Sequence, residues 1–193
     1  MKKLILDRYA RTSDNKLMIE INAGKVEDLY NSFDKHAPYV RKELDQDLVE
    51  YIIDAVNEIG KEDFIIQFRL TTLADSSLTS RVKNSIHNYF LYLKELEFRK
   101  LARMRRVSLI LFSIGFVILS VSVWINQKFV SEETIISHVI TEGLTVAAWV
   151  ALWNAIATFF INWAPRRRQI KVYERISKAT ILFHEPSQNG VKP

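Results

Sequence analysis

Two ionisable side chains, four residues apart, offer the clearest acid–base chemistry in this sequence. His138 and Glu142 lie at the start of a long apolar segment and share one face if that segment is helical. An imidazole titrates near neutral pH, so such a pair at the edge of a bilayer is suited to proton sensing or gating. The same pair fits a solvated headgroup region equally well, and both interpretations stay open.

A second group of polar side chains lies inside the apolar segment itself. Asn154 is near its middle, and Thr158 and Asn162 follow at helical spacing. In hydrocarbon an unpaired amide costs several kcal/mol, by order of magnitude, so Asn154 needs a hydrogen-bond partner. The partner is either another helix or, in an oligomer, a ring of the same residues around a pore axis.

The rest of the sequence contains no recognisable reaction chemistry. It has no cysteine, Walker loop, dinucleotide fingerprint, nucleophile elbow or paired carboxylates. The four histidines have no second ligand at metal-binding spacing. We therefore predict a non-enzymatic protein with no cofactor and no metal. The histidines are His36, His87, His138 and His184.

Two uncharged stretches have the length of membrane spans. Residues 107–125 form 19 consecutive uncharged positions, and residues 143–161 form another such run. A helix of that length covers about 28 Å, which is close to the hydrocarbon thickness of a bilayer. We predict a transmembrane helical hairpin whose spans are 107–125 and 141–163.

The positions of the cations predict the orientation of this hairpin. Arginine and lysine crowd before the first span and after the second, whereas Lys128 is the only cation between the spans. The positive-inside rule then places both termini in the cytoplasm, and a bacterial inner membrane with anionic headgroups is the expected location. We read the net charge of +5 as lipid contact and expect no nucleic-acid partner. The predicted headgroup contacts are Arg105, Arg106, Arg166, Arg167, Arg168 and Lys171.

Small residues recur along one side of the second span. Because lipid provides no hydrophobic drive between helices, close packing of small residues and polar hydrogen bonds supply it. This face packs either against the first span, where Gly115 with Ser108 and Ser122 offers a matching stripe, or against another copy or membrane protein. The predicted packing residues, besides Gly115, are Gly143, Ala147, Ala151, Asn154, Ala155 and Thr158.

Outside the spans, the apolar periodicity predicts an α/β arrangement. We expect one helix to run from near Ser77 through the first span, and Pro165 to interrupt the second. The fold class is an α/β membrane protein, in which both termini build a small cytosolic α+β domain with a sheet of about three strands. Its parts are residues 1–100, the hairpin region 101–165 and residues 166–193. The predicted strands are 16–22, 63–71 and 179–184, and the predicted shorter helices are 26–36, 45–60 and 166–178.

Two stretches carry a resemblance to a known group. TEGLTVAAWVALWNAIATFFINWAP at 141–165, together with RKELDQDLVEYI at 41–52, resembles a group of uncharacterised bacterial two-pass membrane proteins. In that group a Glu-Gly start, a Trp-Val-Ala-Leu-Trp centre and a Trp-x-Pro end mark the second span. The resemblance implies the two-span topology and no particular function.

Two functional hypotheses follow from the sequence. The first is a membrane-anchored binding, scaffold or sensing module that assembles through the small face of the second span, as a homo-oligomer or with a membrane partner. The second is a small homo-oligomeric channel or transport accessory protein, with Asn154, Thr158 and Asn162 toward its axis.

Overall fold

The computed structural model describes residues 5–34, 37–39, 41–71, 75–129 and 135–184. It also leaves undescribed the side chains of residues 126, 128–129, 135–138, 140–141 and 162. The chain divides into an α/β unit, Met1–Glu95 with Ile170–Pro193, and a hairpin unit, Leu96–Gln169. The helices are α1 (Gln46–Ile59), α2 (Ser76–Phe129) and α3 (Ile135–Lys178), and the strands are β1 (Ala10–Arg11), β2 (Leu17–Ala23), β3 (Phe64–Leu70) and β4 (Thr180–His184).

The four strands form one sheet in the order β1-β2-β3-β4. The short β1 is antiparallel to β2, whereas β2, β3 and β4 are all parallel. Parallel neighbours need a crossover connection, and α1 supplies it between β2 and β3. The chain passes through α2 and α3 before β4 pairs with β3.

The sequences of β2 and β3 account for their places in the sheet. In β2 the buried residues alternate as Leu17, Ile19 and Ile21, the pattern of a strand with one face against the core. In β3 six of the seven residues of FIIQFRL are buried, which suits a central strand covered on both faces. Strand β3 is therefore the centre of the α/β core, and Phe68 is among its largest fully buried side chains.

Helix α1 has defined capping at both ends. The Asp45 carboxylate accepts hydrogen bonds from the backbone N–H groups of Asp47 at 3.0 Å and Leu48 at 3.3 Å. Gly60 follows the helix at a φ of 73°, a backbone conformation that glycine adopts without the steric cost of a Cβ. These caps make α1 a self-contained element that buries Val49, Ile52 and the apolar residues that follow them at helical spacing.

Replacing Asp45 with alanine is expected to destabilise the α/β unit by about 1 kcal/mol, because two helix N–H groups lose their acceptor. Hydrogen exchange of the α1 amides measures this loss. Asp45→Asn, which keeps a side-chain acceptor, is the matched control and should lose less protection. Equal protection in Asp45→Ala and the wild type would contradict the assigned cap.

Helices α2 and α3 are both long enough and apolar enough to cross a membrane, judged by length and composition. The predicted continuous helix from near Ser77 is present as α2, which begins at Ser76 and ends at Phe129. The segments predicted as spans, 107–125 and 141–163, lie within α2 and α3. The α/β fold class therefore includes two helices of membrane-spanning character.

Two predictions about the elements of the α/β unit need correction. The sheet has four strands rather than about three, because β1 has only two residues and no apolar periodicity. The helix predicted at 26–36 is replaced by two 3-10 turns, Val26–Leu29 and Ser32–Asp34, and residues 35 and 36 lie outside the described residues. The predicted strand near the C-terminus is present as β4, and the tail at 185–193 also falls outside them.

Pro165 does not interrupt the helix, contrary to the sequence prediction, since α3 continues through it to Lys178. A proline removes a single backbone donor and its φ is itself helical. The hydrogen bonds on either side of Pro165 thus suffice to continue α3, and the basic segment predicted as a separate helix at 166–178 is its last part.

Candidate functional site in the helical hairpin

Helices α2 and α3 pack along a seam with a seven-residue repeat. On α2 the seam contains Ser108, Gly115 and Ser122, and on α3 it contains the buried Ala148 and Ala155. A spacing of seven residues keeps one narrow stripe of each helix toward the other. The small residues of α2 therefore pack against α3 at Ala148 and Ala155, of which Ala155 was predicted as a packing residue and Ala148 was not.

Gly115 is the point of close approach in this seam. A Cβ at this position would lie 3.0 Å from the Leu152 Cγ and 3.2 Å from the Leu152 backbone nitrogen. A flexible side chain can move away from such a contact, but the backbone of α3 can move only by separating the helices. The hairpin geometry consequently depends on glycine at position 115.

A hydroxyl pair and an ion pair add polar contacts between the helices. The Ser122 Oγ and Thr145 Oγ1 lie 2.7 Å apart in hydrogen-bonding geometry. The buried carboxylate of Glu97 accepts from Lys100 at 2.6 Å and from Arg166 at 3.1 Å. Charge-assisted bonds of this kind are stronger than neutral ones, so Glu97 ties α2 to α3 within the hairpin unit.

Glu97 was missed at the level of sequence. The signal available was a carboxylate inside the basic stretch that precedes the first span. That pattern is shared with Glu95, which is exposed, and spacing alone does not say which of the two faces α3.

The predicted packing residues of α3 do not all face α2. Ala155 is buried in the seam, and Ala151 and Thr158 are partly buried beside it. Gly143, by contrast, is exposed, and no atom of the described residues lies within 4 Å of the place that a Cβ would take there. The predicted small face is thus divided between an inner side against α2 and an outer side.

The outer side has one polar side chain at its centre. Gly143, Ala147, Val150 and Asn154 are all exposed and fall within about 60° of arc at 100° per residue. We call these four residues the exposed α3 face. In the portion of the chain that the structure describes, the Asn154 amide has no hydrogen-bond partner. A polar amide among small residues is the composition of a helix-packing surface.

The predicted headgroup residues are mostly exposed. Arg105, Arg106, Arg167, Arg168 and Lys171 are exposed to solvent or lipid. Their guanidinium and ammonium groups are accessible to anions.

Two of the cations in the last part of α3 have contacts within the chain. Arg166 is partly buried in its pair with Glu97. The Arg167 guanidinium lies 4.9 Å from the Trp163 ring centroid. Tryptophan and arginine at the end of an apolar helix are typical of an interface anchor.

The predicted proton-sensing pair is described only in part. Glu142 is exposed, and the side chain of His138 lies outside the described residues. Among the residues that are described, no group of three or more His, Asp or Glu side chains is close enough to hold a metal ion. Comparisons of the chain with protein-family models, with curated proteins and with solved structures found no match.

Proposed function

We propose that this protein is a non-enzymatic two-pass protein of the bacterial inner membrane whose copies associate through the exposed α3 face. In this proposal the hairpin spans the bilayer and both termini are cytoplasmic. The α/β unit is then a cytosolic binding, scaffold or sensing module, and association holds several modules together. The observation that carries the proposal is the exposed amide of Asn154 within an apolar helix, which has no hydrogen-bond partner in the described part of the chain.

The energetic argument concerns the amide in lipid. An amide without a partner in hydrocarbon costs several kcal/mol by order of magnitude, because no water is present to replace the missing bonds. Asn154 has no hydrogen-bond partner among the described residues, and it lies on the side of α3 away from the seam residues Ala148 and Ala155. A partner outside the chain therefore satisfies the amide best.

A second copy of this chain is the occupant that the residues favour. An asparagine amide carries both donor and acceptor, so two Asn154 side chains related by a two-fold axis satisfy each other. Gly143 and Ala147 on the same face permit the close backbone approach that such a pair requires. The exposed α3 face is in this way complementary to itself.

Replacing Asn154 with leucine is expected to weaken self-association. A hydrogen bond between membrane helices contributes about 1 kcal/mol, so two symmetric bonds correspond to a loss of about 30-fold in the association constant. Sedimentation equilibrium or energy transfer between labelled copies in detergent micelles and liposomes measures it. Asn154→Gln, which keeps the amide, should retain most of the association.

Phe160→Leu is the second control, because Phe160 is exposed and lies about 120° around α3 from Asn154. It should associate as the wild type does. If Asn154→Leu associates as tightly as the wild type, or if the wild type is monomeric in liposomes, the proposal fails.

A conductance measurement on the same variants distinguishes the scaffold from a channel. A pore would need Asn154 toward an aqueous axis, and reconstituted protein would then conduct ions, with conductance lost in Asn154→Leu. We expect association without conductance, because the exposed α3 face presents a single amide among Gly143, Ala147 and Val150. Conductance that is lost in Asn154→Leu would contradict the scaffold proposal and support a channel.

A further inference from the structure

A lysine in the α/β unit is largely buried and has no counter-ion among the described residues. Lys42 is 8% exposed, and its Nζ lies 5.0 Å from the Tyr30 ring centroid and 4.9 Å from that of Tyr39. Across the described ranges, this ammonium has neither a carboxylate within ion-pair distance nor a hydrogen-bond acceptor. Lysine is almost never buried to this degree unless it is paired.

The two tyrosine rings stabilise the charge but leave its donors unused. A ring face attracts an ammonium with about 0.5 to 2 kcal/mol, depending on how far the contact is desolvated. It has no lone pair directed at an N–H in the way that an oxygen has, and an ammonium carries three such donors. Lys42 is therefore held in place by Tyr30 and Tyr39, while its donors lack acceptors among the described residues.

Lys42 belongs to the lining of an open cavity of about 320 Å³. Ligand sites in proteins start at roughly this volume. Two cations and one carboxylate line the cavity, so its charge favours an anion. The lining residues are Arg41, Lys42, Glu43, Asn88, Tyr89 and Tyr92.

Tyr89, one of the two tyrosines that line this cavity, is a hydrogen-bond donor at neutral pH. Burial, followed by the nearby Glu43 carboxylate, raises the pKa of the Tyr89 hydroxyl above its usual value. Burial likewise raises the pKa of Tyr30 to about 12. Both hydroxyls keep their protons well above pH 7, and Tyr89, which lines the cavity, is able to donate to an oxyanion.

Lys42 also borders a larger cavity of about 650 Å³, which is less suited to an anion. Its charged lining includes the carboxylates of Glu27 and Asp28 against the two cations Lys25 and Lys42. The equal number of charges gives no preference for an anionic ligand. Lys25 lines this cavity and does not line the 320 Å³ cavity, so a substitution of Lys25 is a useful control.

We propose that the 320 Å³ cavity binds an oxyanion of the phosphate class, for which Lys42 is the buried counter-ion. Arg41 supplies a second cation at its exposed side, and Asn88 and Tyr89 supply neutral donors. The inference depends on the proposed function only in treating the α/β unit as a binding module, and it is independent of self-association. The phosphate belongs either to a soluble ester or to a lipid headgroup.

The test uses the full chain in a phosphate-free neutral detergent, titrated with inorganic phosphate at constant ionic strength set by chloride. Isothermal titration calorimetry and the melting temperature of the α/β unit are the readouts. We expect saturable binding and a rise in melting temperature for the wild type. Lys42→Met should weaken binding at least tenfold, whereas Lys25→Met should bind as the wild type does.

Lys42→Met must remain folded for this comparison. The circular dichroism spectrum and the melting temperature of the variant, both measured in chloride alone, check this. If Lys42 serves only to pack Tyr30 and Tyr39, neither inorganic phosphate nor the phosphatidic acid of the lipid titration below stabilises the wild type, and the proposal is overturned. Phosphate binding that is equal in Lys42→Met and the wild type overturns it as well.

A second titration identifies the source of the phosphate. Short-chain phosphatidic acid is added to the micelles, with phosphatidylcholine of the same chain length as the control. A headgroup site is supported if phosphatidic acid stabilises the wild type, inorganic phosphate does not, and Lys42→Met loses the stabilisation. Stabilisation by both compounds supports a soluble ester. The association constant is measured in parallel, and Lys42→Met should leave it unchanged, so a failure here is distinct from a failure of self-association.

Discussion

Phe68→Ala is expected to destabilise the α/β unit by about 3 to 5 kcal/mol, the largest effect of any substitution considered. Phe68 is fully buried in the central strand β3, and its ring stacks on that of Phe183 in β4 with centroids 5.3 Å apart. Truncation leaves a cavity at the place where β3 and β4 pair. The loss combines the transfer of the ring from the core with the contacts left empty around it.

Hydrogen exchange of the β2, β3 and β4 amides, measured on the full chain in detergent, reports this change. Protection should fall by about two to four decades in Phe68→Ala, since each decade corresponds to about 1.4 kcal/mol. Arg69→Ala on the same strand is the matched control. Arg69 pairs with Glu20 at 2.9 Å on the surface, where such pairs contribute at most about 1 kcal/mol. Equal losses in the two variants would contradict the position of Phe68 in the core.

The second large effect is expected from Gly115→Ile. The closest atoms to its Cβ would include the backbone of Leu152, so the substitution must separate α2 from α3 at the seam. Overpacking of this kind costs about 1 to 3 kcal/mol. The chain has no cysteine, so two cysteines introduced as Ser122→Cys and Thr145→Cys form one possible cross-link within the chain.

The rate of this cross-link under mild oxidation measures the approach of the two helices. Gly115→Ile should slow it at least tenfold. Gly143→Ile is the matched control, because a Cβ at Gly143 meets no atom of the described residues within 4 Å, and it should leave the cross-link unchanged. The same control should weaken self-association, because Gly143 lies on the exposed α3 face. If both glycine variants slow the cross-link equally, the seam is wrongly assigned.

The two glycines illustrate where sequence reasoning is insufficient. Both sit in apolar segments among small residues, and both were predicted to lie in helix contacts. The structure packs Gly115 against Leu152 and leaves Gly143 exposed. The difference follows from the rotation of α3 about its axis, which is set by side-chain packing along the whole hairpin and has no local signal.

Lys42 and Glu97 are harder to find from sequence. Each is a charged residue in a polar stretch, where a solvated side chain is the ordinary outcome. Both are in fact less than a tenth exposed, Glu97 between two cations and Lys42 beneath two tyrosine rings. Such burial depends on neighbours that are distant along the chain, as in the pair of Glu97 with Arg166.

The sequence by itself determined those elements that depend on local periodicity and local capping. The alternation in KLMIEIN, the buried run FIIQFRL, the Asp45 cap and the Gly60 stop all act over a few residues, and uncharged length is enough to recognise the two apolar helices. Only the tertiary structure decided the parallel order of β2, β3 and β4 and the division of the small residues of α3 into an inner and an outer side. These outcomes depend on contacts between segments far apart in the chain, where the free energy of packing selects one register and one helix rotation among many that the residue pattern allows.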